Sequence, residues 1–126
     1  MLIAALALAA AQPAAEPPVE TEITVIANKL RDWRGRWKLR KGAIACKTTR
    51  STGDKVIDAI GCDAMVACIG PLAPRFTEIE AAKASKEELS RRANALLADA
   101  GAYDCMFAKR NAGIAALAAA RRSEPR

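Results

Sequence analysis

Trp33-Arg34-Gly35-Arg36-Trp37-Lys38-Leu39-Arg40 alternates without a break. Trp33, Gly35, Trp37 and Leu39 fall on one side, and Arg34, Arg36, Lys38 and Arg40 on the other. A period of two is the signature of a strand with one buried and one wet face, whereas a helix would scatter the same four bases around its circumference. Lys41-Gly42 offers a turn, and Ala43 to Thr49 a return strand. Upstream, the β-branched run Glu22-Ile23-Thr24-Val25-Ile26-Ala27 reads as a further strand. The expectation is a β-hairpin or three-stranded antiparallel meander over about residues 22–50.

Beyond it the period changes. Ser51 and Asp54 have capping side chains, and Val56, Ile57, Ile60, Ala64 and Cys68 follow near helical spacing, with Gly61 a weak point. Gly70-Pro71 and Pro74 read as its end. Ser85 to Glu88 is a capping box before Leu89, Ala93, Leu96, Leu97 and Ala100. Gly101 separates that helix from a last one carrying Phe107, Ile114 and Leu117, with Arg121 and Arg122 suited to its C-terminal dipole. Strands first and helices after predict an α+β fold, with two to three helices packed on one face of a small sheet.

Met1 to Ala11 is an uncharged apolar run, shorter than the roughly 20 residues a membrane-spanning helix needs. It fits the apolar region of a secretory signal, and Ala9-Ala10-Ala11 supplies a small-residue cleavage site before Gln12. The expected organisation is a leader over 1–11, a disordered Pro/Ala/Glu linker over 12–22, one small domain over 23–122 and a tail over 123–126. No later stretch reads as a membrane span, and the expected site of action is the periplasm or outside the cell.

Hydrophobic residues make up 52 % of the chain, but 30 of them are alanine, and there are five aromatics in 126 residues. Alanine adds little buried area, so the core is thin and crosslinks matter. Cys46, Cys62, Cys68 and Cys105 form an even set, which export would oxidise to two disulfides. Three pairings exist. Cys46 lies about 16 Å of strand before the Ser51 turn, and Cys62 about 12 Å of helix after Asp54. That geometry favours Cys46–Cys62 and leaves Cys68 for Cys105.

Histidine is absent, which excludes Ser-His and Cys-His nucleophiles, imidazole metal sites and a histidine pH switch. Cys62 and Cys68 are too widely spaced for a zinc knuckle, and no Cys-x-x-Cys motif is present. Asp54, Asp58 and Asp63 invite a carboxylate mechanism, but a helix cap with solvated charges near a helix N-terminus accounts for them. No phosphate loop, nucleophile elbow or dinucleotide fingerprint appears. Neither a catalytic centre nor a cofactor is expected.

The charge is concentrated. Between Lys29 and Arg50 nine bases stand against Asp32 alone, while the rest of the chain carries eleven bases and thirteen acids. Arg34, Arg36, Trp37, Lys38, Arg40 and Lys41 are therefore the candidate anion-binding residues. Same-face cations on a strand stand about 6.7 Å apart, comparable to neighbouring charges on a polyanion. Arginine forks grip phosphate and carboxylate, and an exposed tryptophan stacks on a base or sugar. Candidate partners are lipopolysaccharide, extracellular nucleic acid or an acidic protein. The alternative is an envelope structural or interaction protein recognised through a strand edge or helix. In that case Trp33 and Trp37 belong to the core and the bases only keep an edge strand soluble.

Glu20-Thr21-Glu22-Ile23-Thr24-Val25-Ile26-Ala27, after an apolar leader and a proline-containing spacer, resembles the TonB-box region of TonB-dependent outer-membrane transporters. The resemblance covers those residues only. It implies a Gram-negative envelope and carries no transport function with it.

Overall fold

The computed structural model describes residues 19–123. The expected leader over 1–11 and the part of the expected linker before Val19 lie outside the described residues. The element order is α1 (Val19–Arg31), β1 (Arg34–Arg40), β2 (Ala43–Arg50), α2 (Lys55–Ile69), a 3-10 turn (Gly70–Leu72), α3 (Ala73–Ala81), α4 (Lys86–Asp99) and α5 (Ala102–Ser123). The fold is α+β: a two-stranded antiparallel hairpin followed by four α-helices.

One expected strand is a helix. Residues 22–27 lie inside α1, as do residues 19–22 of the expected linker. Val19, Ile23, Ile26, Ala27 and Leu30 recur at steps of three and four. Together they place a continuous apolar stripe on one helical face, with Ile26 and Leu30 buried and Val25, off the stripe, exposed. Glu20 and Glu22 occupy the first turn and Lys29 and Arg31 the last, both favourable to the helix dipole. Tertiary burial of that stripe overrides the β propensity of the individual residues. The likeness to a TonB box is thus one of sequence, on a segment whose Ile26 is fully buried.

The hairpin forms as its alternation requires. Arg36 faces Lys47, Trp37 faces Cys46, Lys38 faces Ala45 and Leu39 faces Ile44, with a register irregularity between Arg34 and Gly35. Lys41 and Gly42 both have positive φ, 50° and 77°, the two-residue turn geometry whose twist matches that of the strands.

Asp54 caps α2 by accepting from the backbone N–H of Val56 at 2.9 Å and Ile57 at 3.3 Å. Pro74 does not end the helical region. It sits in the first turn of α3, where a missing N–H is harmless, so Gly70–Leu72 is only a kink between two helices. Ser85 caps α4 by accepting from Glu88 N–H at 3.1 Å. The Glu88 carboxylate does not complete the box and binds Arg91 and Arg92 instead, at 2.6–3.0 Å. Ser123, expected in the tail, is the last residue of α5.

Two core clusters flank α2. Ile44, Ile69, Phe76, Leu96 and Leu97 pack between the hairpin, α3 and α4. Ile26, Leu30, Trp33, Ile57, Ile114 and Ala118 pack between α1, α2 and α5. Cys46–Cys62 ties β2 to α2 with Cα atoms 5.5 Å apart, and Cys68–Cys105 ties α2 to α5 at 5.8 Å. The pairing is the one the strand and helix lengths favour. Two disulfides in so small a core are compatible with an oxidising, extracytoplasmic location.

By length and composition alone, the 27-residue helical run Lys55–Ala81 is apolar enough to cross a membrane, against the expectation that no later stretch would be. Its apolarity serves the core: Ile57, Ala64, Cys68, Ile69, Ala73 and Phe76 are all buried, and Cys62 and Cys68 are crosslinked.

The loop before α2 is held by one carboxylate. Asp58, buried, accepts from Ser51 Oγ at 2.5 Å, Thr52 N–H at 2.8 Å and Thr52 Oγ1 at 2.7 Å. The Ser51 hydroxyl, then the Thr52 backbone and hydroxyl, hold the Asp58 carboxyl below its ordinary value. Arg121 does the same for Asp54 through a 2.5 Å ion pair, placing this arginine on the α2 cap. A carboxylate whose folded-state pKa is depressed stabilises fully above its unfolded pKa, and that contribution is lost as pH falls through the folded value. Stability should therefore be level near neutrality and decline as pH drops below about 4. Melting temperatures of the wild type and Asp58→Asn between pH 2 and 7 check this. The variant should be less stable at pH 7, with the difference shrinking towards pH 2. A difference constant with pH would contradict the assignment.

Candidate anion-binding face

Strand alternation delivers the expected division of side chains. Arg34, Arg36, Lys38 and Arg40 are exposed, while Gly35, Trp37 and Leu39 are half-buried on the inner face. Trp33, at the strand's threshold, is 6 % exposed, and its Nε1–H donates to Thr48 Oγ1 at 3.0 Å.

Two of the candidates are engaged elsewhere. Trp37 lies on the face opposite the bases, its ring 4.8 Å from that of Phe76, and does not line the cationic concavity described below. Alternation along the strand, which puts residues 36 and 38 on one side, forces 37 to the other. The Arg34 guanidinium folds back to donate to the carbonyl oxygens of Arg31 and Trp33, both at 2.8 Å, satisfying the end of α1. Lys41 is in the turn.

Lys47 joins the remaining three. Arg36, Lys38, Arg40 and Lys47 line a concavity of about 470 Å³ on the hairpin, together with Ala45, Cys46 and Thr49. No carboxylate lines it, and among the described residues none of these four bases has an ion-pair partner. Arg36 and Lys47 are direct cross-strand partners, with Cβ atoms about 5 Å apart by strand geometry. Like charges in that relation oppose pairing of the strands. Lys47 was among the nine bases in the sequence but not among the candidates. Its signal was the alternation of β2, readable once the turn at Lys41-Gly42 fixes the register.

A second depression, of about 300 Å³, opens between β1, α3 and α4. Trp37, Leu39, Phe76, Ile79 and Leu89 supply its apolar lining, and Lys38 is shared with the cationic concavity. Asp54 and Asp58 are occupied as cap and loop anchor, and Asp63 is exposed on α2. Among the described residues no group of three Cys, Asp or Glu side chains is arranged to hold a metal ion.

No protein-family model matches the chain, and neither the curated proteins nor the solved structures give a match.

Proposed function

We propose that this is an exported, non-catalytic protein of the periplasm or extracellular space that binds an anionic partner through the outer face of its hairpin. The observation that carries the reading is the convergence of Arg36, Lys38, Arg40 and Lys47 on one concavity without a carboxylate. A like-charged cross-strand pair weakens a hairpin unless an anion lies between the charges. The candidate partners carry phosphate or carboxylate in series: lipopolysaccharide, extracellular nucleic acid, or an acidic protein surface. The two disulfides support the compartment. Intact mass of protein from its native host, with and without reduction before alkylation, tests it: thiols blocked until reduction are expected, and four free thiols would contradict export.

Binding to a short single-stranded DNA, used as a model polyanion, tests the surface. Four contacts predict a slope of log K against log salt of about −3. Arg36→Glu should lower affinity and make the slope shallower. The same substitution converts the Arg36/Lys47 repulsion to an attraction, so stability should rise by about 0.2–1 kcal/mol. Binding indifferent to salt, or unchanged in Arg36→Glu, would overturn the reading.

A second reading rests on α5, where Phe107 is 69 % exposed and Tyr103, one turn earlier, 56 %. Exposed aromatics on one helical face are what a protein-contact surface presents. A specific complex that survives high salt and is lost in Phe107→Ser would favour it.

A further inference from the structure

The cationic concavity and the apolar cleft are neighbours that have Lys38 in common. The cleft is mostly apolar and is built from three elements, with Leu39 from β1, Ile79 from α3, and Leu89 and Ala93 from α4. Its volume of about 300 Å³ is at the lower end of the range of small-molecule sites, which runs to roughly 1,000 Å³. Its charged margin is unequal: Lys38 and Lys86 stand there against Glu80 alone. Lys86 is also the first residue of α4, where the helix dipole adds to its positive charge. An apolar lining with two lysines at its margin matches a molecule with a hydrocarbon chain at one end and a negative head at the other.

We propose that the partner is a single-chain anionic amphiphile. Its acyl chain lies over Leu39, Ile79 and Leu89, and its head is held by Lys38 and Lys86. This rests on the anion-binding reading above and specifies its ligand class. A purely polar polyanion uses the concavity and leaves the cleft empty; an anionic amphiphile uses both.

Calorimetric titration of the full chain with octyl phosphate, dodecyl phosphate, inorganic phosphate and the uncharged dodecyl maltoside, each below its micelle concentration, separates the contributions. Each methylene buried is worth roughly fourfold in affinity. Dodecyl phosphate should therefore bind at least tenfold more tightly than octyl phosphate, and more tightly than either inorganic phosphate or dodecyl maltoside. Lys86→Glu should weaken dodecyl phosphate at least threefold. Ser90→Phe, at an exposed α4 position on the cleft margin, should block the chain while leaving single-stranded DNA binding intact. Dodecyl phosphate binding no better than inorganic phosphate, or unaffected by Ser90→Phe, overturns the amphiphile while salt-dependent DNA binding remains. Loss of salt-dependent DNA binding from the wild type overturns the anion-binding face itself.

Discussion

Trp33→Ala is expected to destabilise the protein by about 3–5 kcal/mol, the usual cost of truncating a buried tryptophan. The indole is clasped between two glycines. A Cβ added at Gly61 would stand 2.7 Å from three of its ring carbons, and one added at Gly35 would collide with the ring as well. Because the floor and roof of this slot have no side chains to fill it, the void cannot close by local repacking. Removal of the ring also leaves the Thr48 hydroxyl without its donor. Against the 5–15 kcal/mol that holds a typical domain, the loss is large. Urea unfolding checks it, with Gly61→Ala as companion: added volume against the ring should cost about 1–3 kcal/mol. A change below 1 kcal/mol in Trp33→Ala would contradict the clasp.

Removing the Cys68–Cys105 bridge with the double substitution to serine is expected to cost about 4 kcal/mol, and removing Cys46–Cys62 about 3 kcal/mol, since loop-closure entropy grows with loop length. The loops span 37 and 16 residues. Both bridges end on α2, which packs against the hairpin, α1 and α5, so either loss loosens the central element. Thermal unfolding of the two double variants under identical conditions tests the ranking. The reverse order would show that local packing, rather than chain entropy, sets the contribution of each bridge.

The legible parts of the sequence were those where one local pattern decided the outcome. The alternation of residues 33–40, the turn at Lys41-Gly42 and the caps at Asp54 and Ser85 are short-range devices, and each appears where its chemistry places it. Strand and helix rise favoured the observed disulfide pairing without excluding the other two. Residues 22–27 misled because β-branched composition and a helical apolar stripe coexist there, and only the packing of Ile26 and Leu30 against α5 and α2 separates them. Gly61 looked like a weakness in α2 and is the space Trp33 needs. Trp37 and Arg34 left the candidate site for reasons of direction: one points inward, and the other turns back to the end of α1. Lys47 entered it through cross-strand register, which no single strand displays.

The measurement that bears hardest on the functional reading is amide chemical-shift mapping of the labelled protein titrated with a short single-stranded DNA. Saturable shifts confined to β1 and β2, largest at Arg36, Lys38, Arg40 and Lys47 and reversed by salt, are the expected result. Shifts centred on α5 around Tyr103 and Phe107, or none that saturate, would contradict the assignment of the hairpin's outer face as the binding surface.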